Sequence, residues 1–576
     1  MANYSTVVTA VSTDDADRRP CSTAAREGSR LLARETGGQG APDLVVCPAP
    51  GRAPGWRTGY RAAVAVVIAI DAGTSGVRAL AVDEEGQVVT TSYRELRQYF
   101  PAPGLVEHDA AEIWSLVETT LAELQTELLE RSLTTATIGI ANQRETAVAW
   151  DRSTGRPCHR AIVWQDRRTA ARCVELAEAG HLPLVRDRTG LVLDPYFSGT
   201  KWSWMLEHGG VEPGASLALG TVDDWICWNL TGGAESGVHV TDPSNASRTL
   251  CYDIGQRAWS AELCDVLRVP IEALGEILPS AHRYGTVAAG VAGGSLEGVP
   301  VSGIVGDQQA ALFGHGCHLP GDTKVTYGTG SFVLMNLGAQ RPPPIEGLLT
   351  TVAWDLGEHA PKGAADGFNY ALEGSIFSSG ATIQWLRDGL GLIGEAAEAG
   401  PLASQIPSND GVYLVPAFAG LGSPWWDAEA RGTIVGISRG HGRAHFARAA
   451  VEAMAYQCRD VVEAMTRAAG QSLIQLHADG GASAMNLLLQ IQADQCGVPV
   501  TRPRTTEVTA VGAAMLAGLA EGVWSSLEEL RALATNADVF EPEPRRSRAD
   551  ADHAAWRTAL ARSRGWARTS AQTANP

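Results

Sequence analysis

The run VAVVIAIDAGTSGVRALAVD, Val64 to Asp83, constrains this chain more than any other stretch. Val64–Ile70 is continuously apolar and too short for a membrane span, which needs about 20 residues; its length and β-branched content predict a strand buried on both faces. Asp71 ends that strand, where a carboxylate is costly unless it meets a cation or hydrogen-bond donors. The chain then turns over Gly, Thr and Ser and returns as a second strand, Arg78–Val82. Such a tip can clasp phosphate through backbone N–H groups and hydroxyls, with Asp71 positioning Mg²⁺; it can also be an ordinary hairpin turn.

The pattern recurs in the second half. Thr323–Tyr327 reads as a strand, Gly328-Thr329-Gly330 as a tight turn and Ser331–Asn336 as a returning strand. Two such hairpins facing each other could hold a polyphosphate between them. Neither has the Lys-Ser/Thr that follows the glycine loop of a Walker A motif.

Around these hairpins the sequence reads as α/β. A strand at Val88–Ser92 precedes Asp109, which caps a helical run through Trp114, Leu116, Leu121, Leu124 and Leu128. Thr135–Gln143 is another buried strand, and helical runs follow at Ala444–Gly470 and Ala484–Cys496, with a close turn at Gly480-Gly481. The 576 residues suffice for two or more domains. A net charge of −18 excludes a general binder of nucleic acid or anionic membrane. Ten scattered cysteines without a CxxC pair indicate free thiols in a reducing cytosol rather than zinc or disulfides. Residues 1–63 are rich in Arg, Gly, Pro, Ser and Thr without sustained apolar period, and are expected to be a disordered extension.

Three polar clusters stand at strand ends, where α/β proteins build clefts. SGIVGDQQAALFG, Ser302 to Gly314, places Asp307 and Gln308 between a strand-like and a helix-like run. NQRET, Asn142 to Thr146, sets Arg144 beside Glu145, a donor and an acceptor suited to a polyol's hydroxyls. DPYFSGTKWSWMLEH leads from Tyr196, whose hydroxyl could face substrate, into a helix in which Trp202 and Trp204 are packing residues.

From about Val64 to Trp556 the chain resembles the FGGY carbohydrate kinases, and within them the branch acting on glycerol. The motifs DAGTSGVRALAVD, GLVEHDAAEIW, IGIANQRETAVAWD, AIVWQDRRTA, VHVTDPSNASRT, SGIVGDQQAALFG, YGTGSFVLMN, ALEGSIFSSGATIQWLRD, DGGAS and EVTAVGAAMLAG occur in family order. The resemblance implies two actin-like (ribonuclease H-like) α/β domains around an interdomain cleft, at 64–315 and 316–562, with a flexible tail at 563–576. It implies glycerol and MgATP as substrates, held in part by Arg144, Glu145, Tyr196, Asp307 and Gln308, with Trp164 and Phe332 as an apolar wall. Thr74, Ser75, Gly76 and Arg78 correspond to the first phosphate hairpin and Thr329 to the second; Gly380, Gln384 and Gly481 correspond to nucleotide contacts. Met485 departs from the family by standing where an Asn often contacts adenosine, with Asn486 next to it. Asp307 becomes the expected general base, and Asp71 and Asp307 the expected Mg²⁺ ligands.

The resemblance also implies a cytoplasmic homodimer or homotetramer that neither binds nucleic acid nor inserts into membranes. Some relatives are inhibited by fructose 1,6-bisphosphate, but VAGGSLEGVP, Val291 to Pro300, lacks the required Arg and carries Glu297, so no such inhibition is expected. His282 falls where other relatives are phosphorylated by the phosphotransferase protein HPr. An ordinary surface histidine is nonetheless the favoured reading of His282.

Overall fold

The computed structural model describes residues 65–362 and 366–567. The expected extension at 1–63, and residues 568–576 of the expected tail, lie outside the described residues. Two mixed sheets organise the rest. The first has the order β5-β6-β4-β1-β2-β3, with β1 Ala65–Ala72, β2 Gly76–Val82, β3 Val88–Glu95, β4 Thr134–Asn142, β5 Ala281–Thr286 and β6 Pro300–Gly306. The second has the order β9-β10-β8-β7-β11-β12-β13. Its strands are β7 Thr323–Tyr327, β8 Ser331–Gly338, β9 Leu349–Asp355, β10 Phe368–Ile376, β11 Leu476–Asp479, β12 Val500–Pro503 and β13 Ala537–Phe540.

The two sheets share one core topology. In the first, β1, β2 and β3 form an antiparallel meander, and β4 then β6 run parallel on the other side of β1. In the second, β7, β8 and β10 form the meander, with β11 then β12 parallel beyond β7. Val66 to Ile70 are wholly buried, as a strand packed on both faces and paired on both sides must be.

The first hairpin is tighter than the sequence predicts. β1 continues through Ala72 and β2 already begins at Gly76, so only Gly73–Ser75 turn, closed by the bond from Gly73 N to Gly76 O at 3.0 Å. A Cβ on Gly76 would lie 2.4 Å from the exposed Tyr93 ring, so a side chain there would have to push that ring aside. The register sets Asp71 opposite Arg78.

Seven helices matter for the site: α1 Ala110–Glu130, α2 Ser198–Glu207, α3 Asp307–Gly314, α4 Gly380–Asp388, α5 Arg443–Ala469, α6 Asn486–Cys496 and α7 Val508–Ala520. Asp109 caps α1 as its sequence position predicts, accepting from Ala111 N at 2.9 Å. The helix expected from Ala484 starts two residues later. Gly481–Ala484 form a 3₁₀ turn, and Met485 is extended (φ −84°, ψ 100°), which breaks the helical path.

Helices α3 and α7 pack side by side and join the halves. α7 lies on β1, β4 and β6, while α3 also touches β7, β8 and β9. One apolar core accordingly contains Val67 and Ala141 of the first sheet, Leu312 of α3, Ala514 of α7, and Leu334 and Ala371 of the second sheet. The approach is close enough to need glycine: a Cβ on Gly512 would sit 1.9 Å from the Ala310 carbonyl oxygen. Among the described residues no helix is long and apolar enough to cross a membrane, and eight cysteines are free.

Candidate active site

The carboxyl ends of β1, β4 and β6 bring Asp71, Arg144, Glu145 and Asp307 to one cleft. Asp307 is the first residue of α3, with Gly306 extended before it, so the aspartate does not cap the helix from outside. Its carboxylate takes the Gln308 N–H at 2.7 Å and faces Arg144 Nε at 3.2 Å, and its side chain is 30% exposed. Burial raises its pKa, opposed by the positive charges of Arg144 and Lys324. Asp71 is pushed up to about 7 by burial; Arg78, at 3.9 Å, opposes this, while Asp307 and Glu507 add to it. Two neighbouring carboxylates that resist ionising together are a donor set suited to a hard divalent cation, which would restore both to the charged form.

Arg144 is fixed on every side. Nη1 donates to Glu373 Oε2 at 2.6 Å and to Gln309 Oε1 at 3.1 Å, and Nη2 reaches Tyr196 Oη at 3.5 Å. Glu145 occupies the left-handed region (φ 61°), a conformation costing on the order of 1–3 kcal/mol that persists only where its surroundings over-determine it. They do: its carbonyl accepts from Ser198 Oγ at 3.1 Å and Lys201 Nζ at 3.2 Å, and its carboxylate from Arg248 Nε at 2.6 Å. Arg144 and Glu145 could have been a surface ion pair; their side chains are only 1% and 2% exposed.

Aromatic rings wall the same cleft. Trp164 meets Tyr196 edge-on at 5.6 Å and Phe332 at 6.5 Å, and its indole N–H donates to Thr74 Oγ1 at 2.9 Å. The first hairpin is thereby tied to the aromatic wall. Gln308 accepts from Lys324 Nζ at 2.6 Å, and Lys324 also donates to Thr326 Oγ1 at 2.6 Å. Trp202 is buried, and Trp204 lies under the Arg168 guanidinium at 4.5 Å, so both are packing residues.

A cavity of about 850 Å³ opens in the second half. Thr329, Gly380, Gln384 and Gly481 all line it, as do Met485 and Asn486. The turn and α4 are laced together: Gly380 N donates to Gly328 O at 2.9 Å, and Ser379 and Ala381 N both donate to Thr329 O at 3.0 Å. Asn486 Oδ1 is occupied by Arg502 Nη1 at 2.9 Å. Thr74, Ser75, Gly76 and Arg78 are not among the lining residues; they form the opposite hairpin, with Ser75 exposed at its tip. Arg78 stacks on Tyr93 at 5.2 Å and pairs with Glu507. His282 belongs to neither cluster. It lies on β5 at the edge of the first sheet, half-buried against Tyr284 at 5.6 Å.

Sequence reasoning missed Glu373, Arg248, Lys324, Lys201 and Gln309. A signal was present for three of them. Glu373 in FNYALEGSI, Lys324 in TKVTY and Lys201 in SGTKWSWML are single charges inside otherwise buried elements, and such charges are paired.

Known proteins resemble this chain over most of its length. Residues 66–314 match the N-terminal domain of the FGGY family of carbohydrate kinases, and residues 323–521 match its C-terminal domain. A glycerol kinase of Trichlorobacter lovleyi is 51% identical over 508 residues, 87% of this chain and 99% of the relative. Glycerol kinase 2 of Thermotoga maritima is 48% identical over 505 residues, 87% and 99% of the two chains. The crystal structure of Plasmodium falciparum glycerol kinase with ADP superposes with a TM-score of 0.81 at 31% identity, covering 87% of this chain and 98% of that one. This chain belongs to the FGGY family of carbohydrate kinases.

Proposed function

We propose that this enzyme transfers the γ-phosphoryl group of ATP to a terminal hydroxyl of glycerol, giving sn-glycerol 3-phosphate and ADP. The observation that carries the reading is the arrangement around Asp307: a part-exposed carboxylate, an immobilised Arg144 and Glu145, and the rings of Trp164, Tyr196 and Phe332 in one cleft. A three-carbon triol presents hydroxyls and one short apolar backbone, and this cleft offers hydrogen-bonding groups with an aromatic wall.

In this reading Arg144, Glu145, Tyr196 and Gln308 hold the hydroxyls, and Trp164 and Phe332 lie against the carbons. Asp307 takes the proton as the hydroxyl oxygen bonds to the γ-phosphorus; the bond from that phosphorus to the bridging oxygen breaks and ADP leaves. Thr74, Ser75, Gly76 and Arg78 from one hairpin and Thr329 from the other steady the phosphates. Gly380, Gln384 and Gly481 contact the rest of the nucleotide. Mg²⁺, held by Asp71 and Asp307, would neutralise charge gathering on the phosphate oxygens. The polyol half then spans 64–315 and the nucleotide half 316–562.

An ADP-release assay over a panel of polyols and sugars tests the reading. Turnover confined to glycerol and cut by about 10²-fold or more in Asp307→Asn is expected; turnover on a pentulose instead, or on nothing, defeats it. The same proposal includes a cytoplasmic homodimer or homotetramer, testable by sedimentation. His282 reads first as an ordinary surface histidine, with acceptance of phosphoryl from phospho-HPr as the second reading; label transfer from phospho-HPr that is lost in His282→Ala would establish the second, and no transfer would retire it.

A further inference from the structure

Glu373 has no place in the chemistry above, yet it stands at the junction of the two halves. It lies in mid-strand on β10, between Leu334 of β8 and Leu349 of β9, and its side chain is fully buried. Each carboxylate oxygen takes one arginine: Oε2 accepts from Arg144 Nη1 at 2.6 Å and Oε1 from Arg248 Nη2 at 2.8 Å. Arg248 continues to Glu145 Oε1 at 2.6 Å. Two arginines and two glutamates thus form a closed, charge-neutral lattice with side chains at most 2% exposed. Three members belong to the polyol half. Glu373 alone comes from the second sheet.

Its strand has a second attachment. Past Ile376 the chain braces the phosphate turn, where a Cβ on Gly330 would lie 2.5 Å from the Ile376 carbonyl oxygen. Ser379 and Gly380 then bond to Thr329 and Gly328 and open α4, which supplies Gly380, Ile383 and Gln384 to the nucleotide cavity. A single continuous segment, hydrogen-bonded along its length, therefore runs from the arginine proposed to grip the polyol to the wall proposed to grip the nucleotide.

We propose that Glu373 is a positioning residue that couples the polyol site to the nucleotide site: it fixes Arg144 against a strand whose far end holds the phosphate turn, so that filling either site favours the arrangement that fills the other. The inference rests on the glycerol reading above. Coupling of this kind is a free energy shared between two sites and is reciprocal, so it is measurable from either side. A merely structural glutamate would change both affinities without changing their dependence on each other.

Calorimetric titration of the full chain with glycerol, with and without a nonhydrolysable ATP analogue and Mg²⁺, reads the coupling directly. The wild type is expected to bind glycerol about tenfold more tightly when the analogue is present, and the analogue to gain the same factor from glycerol. In Glu373→Gln that factor falls to near one, and the KM for glycerol ceases to depend on ATP concentration. Glu373→Gln leaves one buried arginine uncompensated, so the neutral double variant Arg248→Gln/Glu373→Gln is the second test, and its factor also falls to near one. Variants that bind glycerol more weakly but keep the wild-type factor overturn the inference, as does a wild type that phosphorylates glycerol with a factor near one. A wild type that neither binds nor phosphorylates glycerol overturns the substrate reading as well.

Discussion

Asp307 and Asp71 share a cleft but face different demands, and two predictions separate them. Asp307→Asn keeps the shape and the contact with Arg144 but cannot accept a proton, so kcat should fall by about 10²–10⁴-fold with the KM for glycerol little changed; equal loss in both parameters would mean a binding role. Asp71 has a folded pKa of about 7 against an ordinary 3.8. The folded protein then keeps this proton between those values while the unfolded chain has released it. Its contribution to stability is full below about pH 4 and is lost as pH rises to about 7, on the order of 4 kcal/mol. A divalent cation held at Asp71 would replace the proton. In thermal melts, Mg²⁺ should therefore raise Tm near pH 8 far more than near pH 5, and Asp71→Asn should erase that difference; a wild type indifferent to Mg²⁺ at both values would remove Asp71 from the metal site. These groups were legible in the sequence because each stands at a strand end beside a turn. Glu373's burial left a trace in its apolar strand, but its pairing with Arg144 and Arg248 did not, since they lie 229 and 125 residues away and only the folded register brings them together.

The hairpins and α1 could be read locally, because a strand–turn–strand and a capped amphipathic helix are defined by neighbours in sequence. α7 could not be placed that way. Its run VTAVGAAMLAGLA announces burial on every side but not what it packs against, and its partner α3 lies nearly two hundred residues earlier. The element-scale prediction uses its glycine. Gly512→Ala drives a methyl group into the Ala310 carbonyl oxygen at 1.9 Å, and relief requires the two helices to separate. A loss of about 1–3 kcal/mol and a lower Tm are expected. Gly481→Ala is the contrasting case. A Cβ there meets no atom within 4 Å, so Tm should hold, but the residue lines the cavity proposed for the nucleotide, so the KM for ATP should rise while that for glycerol stays put. A Gly481→Ala variant that melts early would mean that the turn needs glycine for its own conformation.

A kinase must keep water from taking the place of its alcohol, and the architecture of the whole chain supplies a means. Most groups proposed to hold the polyol gather at the carboxyl ends of the first sheet, while the proposed nucleotide wall lies in the second half, so the transferring phosphoryl group would be enclosed between them. The halves are joined by the shared core of α3 and α7 and by the buried lattice through Glu373. Packed helices can slide or pivot slightly while such a lattice keeps the two binding surfaces in step. Closure about this junction should therefore need both ligands. Solution scattering is expected to show a smaller radius of gyration with glycerol and a nonhydrolysable ATP analogue together than with either alone. Asp307→Asn should close like the wild type, because it lacks the base but keeps the binding groups, whereas Glu373→Gln should close incompletely. Unchanged scattering on adding both ligands would mean that water is excluded without domain motion. The slow ATP hydrolysis expected without glycerol would then have to arise from placement of the nucleophile alone.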